Sequence, residues 1–150
     1  MRAVIQRVTS CILSIEGREF SRIGYGIIIL LGIEEADTNE DTEWLSNKIT
    51  GLRIFDDENG VMNLDIRDVA GEIMVVSQFT LHASTRKGNR PSYIKAARPE
   101  TAIPVYESFI QSVELKLDRK IATGQFGTHM EIALVNDGPV TIIIDTKIRE

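Results

Sequence analysis

Met130-Glu131-Ile132-Ala133-Leu134-Val135-Asn136-Asp137-Gly138-Pro139-Val140-Thr141-Ile142-Ile143-Ile144-Asp145 holds two strand-like runs, Met130 to Val135 and Val140 to Asp145, interrupted by Asn-Asp-Gly-Pro. A proline donates no ladder hydrogen bond, so it suits an edge, a bulge or a turn. Asn-Asp-Gly supplies turn chemistry. Read alone, the segment predicts a hairpin turn between two strands. The competing reading is a rigid backbone device with its carbonyls aimed at a ligand. X-Pro bonds are also the only ones in which the cis form costs little, roughly 0.5–1 kcal/mol.

Working outward, strand-like runs flank two helical patterns. Met1 to Thr9 alternates, with Ala3, Ile5 and Arg7 on one face and Val4, Gln6 and Val8 on the other. Cys11 to Phe20 reads as a second strand, bent at a hairpin tip over Glu16-Gly17-Arg18, and Arg22 to Ile33 as a third. Gly24, Gly26 and Gly32 in that third run suggest bulges or close backbone approach. Thr38-x-x-Asp41 resembles a capping box and opens a helix carrying Leu45, Ile49 and Leu52, which ends near Gly51 to Arg53. Asp56-Asp57-Glu58-Asn59-Gly60 is a hairpin loop, and Ile73 to Phe79 a central strand. Tyr106, Phe109, Ile110, Val113 and Leu117 mark a second helix over Pro99 to Lys120, whose start Pro104 moves toward Ile103. The order β-β-β-α-β-β-β-α-β-β predicts one mixed α/β domain over residues 1–150, with largely antiparallel sheets and two main helices.

Composition sets the class. The chain has 150 residues, 43% hydrophobic and 26% charged, near globular averages. No apolar run approaches the roughly 18 residues of a membrane span, and no signal peptide opens the chain. With one cysteine, Cys11, and two distant histidines, His82 and His129, cysteine-based zinc sites within one chain are excluded and a histidine-rich metal site is not expected, while carboxylate metal sites stay open. The expected setting is the cytoplasm.

Net charge is −5, which argues against broad non-specific nucleic-acid binding. The charge is unevenly placed, however. Between His82 and Pro99 stand Arg86, Lys87, Arg90, Lys95 and Arg98, and no acid. Such a run is either a solvated loop or a surface for a limited set of phosphates.

Ser77-Gln78-Phe79-Thr80-Leu81 ends the apolar strand and opens this basic loop. Hydroxyl and amide groups at the end of a buried strand sit on a rigid scaffold, and N–H groups where the strand unravels could hold an oxyanion. The alternative is a polar strand end bonded to its own backbone. No base accompanies the hydroxyls, and the chain lacks a nucleophile elbow, a P-loop and a dinucleotide fingerprint. Any reaction here must be easy or assisted by its substrate.

Ser77-Gln78-Phe79-Thr80-Leu81 and Asn136-Asp137-Gly138-Pro139-Val140-Thr141 together resemble the D-aminoacyl-tRNA deacylase family. Met1 to Val8, Lys87-Gly88-Asn89-Arg90-Pro91-Ser92 and Gly124-Gln125-Phe126-Gly127-x-x-Met130 extend the likeness over essentially the whole chain. The resemblance implies a three-layer α/β/β, barrel-like fold and a homodimer with active sites at the interface. It implies hydrolysis of the ester joining a D-amino acid to the terminal adenosine of tRNA, and of mischarged glycyl-tRNA(Ala), with no cofactor. Ser77, Gln78, Phe79 and Thr80 would form the catalytic turn. Gly138 and Pro139, joined by a cis bond and inserted into the partner's pocket, would capture the amino group and exclude an L side chain. Arg7 would brace that loop, unless it is an ordinary surface arginine on an edge strand. Phe126 and Met130 would line the adenosine pocket, unless they only pack the core. Lys87 and Arg90 would meet tRNA phosphates. His82 is given no role. A non-catalytic nucleic-acid-binding dimer and a small-molecule esterase are the competing functions.

Overall fold

The computed structural model describes residues 1–149. Its elements run β1 (Arg2–Ile15), β2 (Arg18–Ile23), β3 (Gly26–Gly32), α1 (Asn39–Thr50), β4 (Phe55–Asp56), β5 (Met62–Leu64), β6 (Glu72–Ser77), a 3-10 turn (Phe79–His82), α2 (Pro99–Leu117), β7 (Ala122–Thr123) and β8 (Glu131–Asp145). The main sheet has the order β2-β1-β3-β6-β7, with β8 on the other edge of β1. The β3–β6 and β6–β7 pairs are parallel and the other pairs of the sheet antiparallel, the mixed α/β class expected. Ser21 Oγ donates to Thr123 O at 2.9 Å, tying β2 to β7 and leaving the sheet nearly closed, like a barrel.

Alternation along the central strands divides the core. Ile27, Ile29, Leu31, Ile73 and Val75 face Leu45, Ile49, Tyr106, Phe109 and Val113 of the two helices. Ile28, Met74 and Val76 face the other way, into a second cluster with Val8, Cys11 and Leu13. A period-2 strand buried on both faces reads as a continuous apolar run, as β3 does.

Two irregularities in β1 and β8 shape the protein. Val8 pairs with Asn136 and Ser10 with Val135, so Thr9 is one residue too many on β1. The bulge inverts the facing: Ala3 and Ile5 point to the helices, Cys11 and Leu13 to the second cluster. Gln6 pairs with Thr141, so Asp137, Gly138, Pro139 and Val140 all lie opposite Arg7 alone.

This overturns the hairpin expected at Asn136 to Thr141. The chain does not reverse there; both halves of β8 run antiparallel to the same strand, β1. The proline is accommodated by a bulge looped out of an edge strand, where its missing N–H costs no ladder bond. The Gly138–Pro139 peptide bond is cis. The expected break near Thr9 to Cys11 is also absent, since β1 runs on to Ile15 before turning at Glu16 and Gly17.

The helices follow the sequence closely. In α1, Thr38 N–H donates to Asp41 Oδ2 at 2.9 Å, the capping-box contact. Helix α2 starts at Pro99 rather than near Ile103. Pro99 sits where a helix N–H has no partner in any case, and Pro104 deprives only one further carbonyl of its bond.

Asp41 also accepts from Lys147 Nζ at 2.8 Å, joining α1 to the segment after β8. Burial pushes the Asp41 carboxyl up, but hydrogen bonds from Lys147, Thr146 and Thr38 outweigh it and hold the group well below the usual carboxylate range. A depressed carboxylate contributes stability above its unfolded value of 3.8, and that contribution is lost progressively as pH falls below it. Asp41→Asn is therefore expected to cost about 1–3 kcal/mol at neutral pH, with the gap narrowing in acid. Urea unfolding of both proteins at neutral pH and well below pH 4 measures it; a gap that does not change with pH contradicts the assignment.

Candidate active site

The end of β6 carries the sequence's first candidate. Ser77 is its last residue, and the chain then enters the 3-10 turn. Leu81 N–H donates to Gln78 O at 3.2 Å, the first bond of that turn. The N–H groups of Phe79 and Thr80 precede it and have no acceptor within the turn. Gln78 N–H is used differently, donating to Leu31 O at 2.7 Å and so anchoring the turn to β3. A Cβ at Gly32 would lie 3.0 Å from Gln78 O, His82 Cδ2 and Leu81 Cβ. Glycine there lets the turn sit directly on the strand, the close approach expected of that residue.

Beside the turn lies a cavity of about 420 Å³. Ser77, Gln78 and Phe79 form one wall, Phe126 and Met130 another, and Leu31, Ile33, Ala97, Ala102 and Ile132 its apolar lining. Val76, Gly127, Thr128 and His129 complete it. Residues about 50 positions apart in sequence thus meet in one concave site, mostly apolar with a few polar groups, the usual form of a small-molecule pocket.

The candidates are not all gathered there. Thr80 does not line the cavity; its Oγ1 receives a hydrogen bond from Gln78 Nε2. No carboxylate, lysine or histidine is bonded to that hydroxyl among the described residues. His82 is buried, and its Nε2 has no hydrogen-bond partner among the described residues. Lys87 and Arg90 are exposed on the basic loop, away from the lining.

Phe126 and Met130 both pack and line. The Phe126 ring rests on Tyr106 with centroids 5.9 Å apart, and Met130 packs against the second core cluster. Core packing and cavity lining thus coincide in these two residues, a core contact orienting a cavity wall. Tyr106 Oη donates to Val75 O at 2.8 Å, and burial pushes its phenol up to about 12.

Gly138 and Pro139 lie outside the chain's own cavity, exposed on the β8 bulge. Arg7 is only 5% exposed, which rules out the surface-arginine reading. Its Nη1 donates to Ile54 O at 2.7 Å and lies 3.4 Å from Asp56 Oδ1. Its Nε is 3.0 Å from Asp137 Oδ2 and donates to Asp137 O at 3.4 Å. One planar guanidinium thus ties the bulge to the body through both a carbonyl and a carboxylate. Gly138 has φ +117°, and a Cβ on it would meet Val140 Cγ2 at 2.8 Å and Arg7 Nη2 at 3.2 Å. Only glycine fits that backbone without a shift.

Sequence reasoning missed Thr128, His129, Ala97 and Ala102 as lining residues. The first two sit inside the Phe126-to-Met130 run, so their position was a usable signal. The two alanines carry no chemical mark: Ala102 reaches the cavity on α2, and Ala97 through its N–H, which donates to Ile33 O at 2.9 Å.

Residues 4–145 match the family described as D-Tyr-tRNA(Tyr) deacylase. A Porphyromonas gingivalis protein named D-aminoacyl-tRNA deacylase is 61% identical over 150 residues, spanning 100% of both chains. One from Parabacteroides distasonis with the same name is 59% identical over the same span. A solved structure titled c-Myc DNA Unwinding Element Binding Protein is 40% identical, with a TM-score of 0.91 over 97% of this chain and 98% of that one.

Proposed function

This chain belongs to the D-Tyr-tRNA(Tyr) deacylase family and is a D-aminoacyl-tRNA deacylase, and on that premise we propose how its residues divide the work. The cavity beside the 3-10 turn takes the terminal adenosine, with Phe126 and Met130 against the base. Ser77 and Gln78 position the ester. The free N–H groups of Phe79 and Thr80 hold the oxyanion that forms when water adds to the ester carbonyl. Collapse of that adduct breaks the acyl–oxygen bond, leaving the amino acid as its acid and the adenosine hydroxyl restored. The observation that carries this reading is the Thr80 hydroxyl, bonded to an amide and to no base. A threonine without a base is a poor nucleophile. An aminoacyl ester is already reactive, and the neighbouring ribose 2′-hydroxyl can assist the water, so positioning and charge stabilisation suffice.

Chirality is decided by exclusion. A D side chain points where an L residue carries hydrogen, so a rigid wall on one side of the Cα separates the hands. Gly138 and Pro139 supply that wall from a second subunit, and their carbonyls accept from the substrate's amino group. Glycine has no side chain to exclude, so glycyl-tRNA is accepted too.

Two features support a homodimer of this kind. Strand β8 has a long edge with no strand beside it among the described residues, and Val135 and Ile143 on it are 56% and 73% exposed. Such an edge invites a second chain. The Gly138-Pro139 bulge projects from that same strand, braced by Arg7. Lys87 and Arg90 meet phosphates of the bound tRNA.

The 40% identical structure whose title names a DNA-element binding protein gives the non-catalytic reading a definite form. One assay separates the two. Incubated with D-tyrosyl-tRNA and L-tyrosyl-tRNA, the protein is expected to release tyrosine from the D ester only. Binding without turnover on either favours the nucleic-acid binder, and turnover on both defeats the exclusion argument.

A further inference from the structure

Phe79 and Tyr93 stand out among the exposed apolar residues. Phe79 is 55% exposed and Tyr93 40%, yet the two rings touch edge to face, with centroids 5.1 Å apart and planes at 75°. That geometry leaves ring surface open to solvent, where a planar ligand can stack. Ile94, beside Tyr93, is 91% exposed. Backbone bonds between Ser84 and Ser92, at 2.8 and 2.9 Å, close the base of the basic loop just before Tyr93.

The position of this pair links two cavities. Phe79 lines the active-site cavity, while Tyr93 and Ile94 line a neighbouring groove of about 890 Å³ with Arg98. Ala96 and Thr101 face the groove, and the next residues in each case, Ala97 and Ala102, face the cavity. The two spaces therefore share a thin wall, and a chain leaving the cavity past Phe79 meets Tyr93 next.

Charge identifies what kind of chain. Among the described residues, none of Arg86, Lys87, Arg90, Lys95 and Arg98 forms an ion pair; elsewhere Arg18, Lys48, Arg53 and Arg119 are unpaired too, but they are scattered, and only the loop gathers five such cations within 13 residues. The groove has two acids: Glu35 is engaged, accepting from Arg98 N–H at 2.8 Å and Thr101 Oγ1 at 2.9 Å, while Glu100 is exposed in the first turn of α2, so the phosphates must lie toward the loop cations. Unpaired cations around exposed aromatic rings are the pattern that binds single-stranded nucleic acid, by phosphate contact and base stacking.

We propose that Phe79 and Tyr93 form a stacking shelf for the unpaired nucleotides that precede the terminal adenosine of tRNA. The proposal rests on the cavity being the aminoacyl-adenosine site. The shelf holds the 3′ end in line as the adenosine enters, and it acts on binding of the RNA rather than on the chemical step.

The test uses a short single-stranded RNA with the sequence of a tRNA 3′ end and 2-aminopurine at the penultimate position. Wild-type protein is expected to quench its fluorescence by stacking. Tyr93→Leu should abolish the quench and weaken binding about tenfold, and Tyr93→Phe should restore both. In kinetics, Tyr93→Leu should raise KM on D-tyrosyl-tRNA about tenfold and leave hydrolysis of the D-tyrosyl ester of adenosine unchanged. Binding without quench in the wild type overturns the shelf. So does an equal loss on both substrates, which would make Tyr93 a wall of the cavity, or a change of oligomeric state, which would make this face a protein contact. The quench is read without turnover, so it judges the shelf even if the wild type hydrolyses neither ester. That last result would count against the deacylase mechanism alone.

Discussion

Gly138→Ala is expected to lower kcat/KM on D-tyrosyl-tRNA by about 100-fold while leaving the protein folded. The residue holds φ +117°, and an added Cβ would lie 2.8 Å from Val140 Cγ2 and 3.2 Å from Arg7 Nη2. The bulge must therefore move, taking with it the carbonyls that the proposed mechanism aims at the substrate. A displacement of about an ångström in a positioning group is enough for a loss of this size. The fold should tolerate the change, because the four looped-out residues leave the β1 ladder on either side intact. Unfolding midpoint and steady-state kinetics on the same preparation separate the two effects. Wild-type kinetics would remove the bulge from the site. Mixing this variant with Phe79→Pro tests the subunit crossing. If each site combines one chain's turn with the partner's bulge, randomly exchanged dimers regain about a quarter of wild-type activity, since half are mixed and each mixed dimer has one intact site. No recovery would place turn and bulge of one chain in one site.

The second large effect separates the Thr80 hydroxyl from the backbone around it. Phe79→Pro should cut kcat by about 100- to 1,000-fold, the usual loss of one oxyanion donor, whereas Thr80→Ala should stay within a few-fold of wild type. Proline removes the Phe79 N–H, and position 79 opens the turn, where proline is tolerated. Gln78 before it, at φ −142° and ψ 79°, lies outside the helical region that a following proline disfavours. Phe79→Leu controls for the lost ring. If Thr80→Ala instead loses several decades in kcat with unchanged binding, the hydroxyl is the nucleophile and the water mechanism fails.

The site was legible in the sequence where chemistry marks it. Ser77-Gln78-Phe79 and Phe126-to-Met130 carry polar or aromatic residues in unusual contexts, and these do meet in one cavity. Arg7 was legible only in part. Its alternation with Ala3 and Ile5 placed it on the buried face, but an arginine there is improbable until Asp137, Asp56 and Ile54 O supply its partners. The Tyr93 shelf was hidden, since one tyrosine in a basic loop signals nothing without Phe79 beside it.

The opening stretch shows where the two levels divide. Period-2 alternation on either side of Asn136-Asp137-Gly138-Pro139 determined that both runs are strands, because side-chain facing is a local property of the pleat. The mixed class, the two helices and the family were determined at that level too. The path of the chain through the proline was not. A hairpin and a bulge satisfy the same local turn chemistry, and they differ only in which strand receives the backbone hydrogen bonds afterward. Here that strand is β1 on both sides, long enough to pair with each half of β8, with Arg7 filling the space the bulge opens. Tertiary pairing thus turned an apparent reversal into a projection from an open sheet edge.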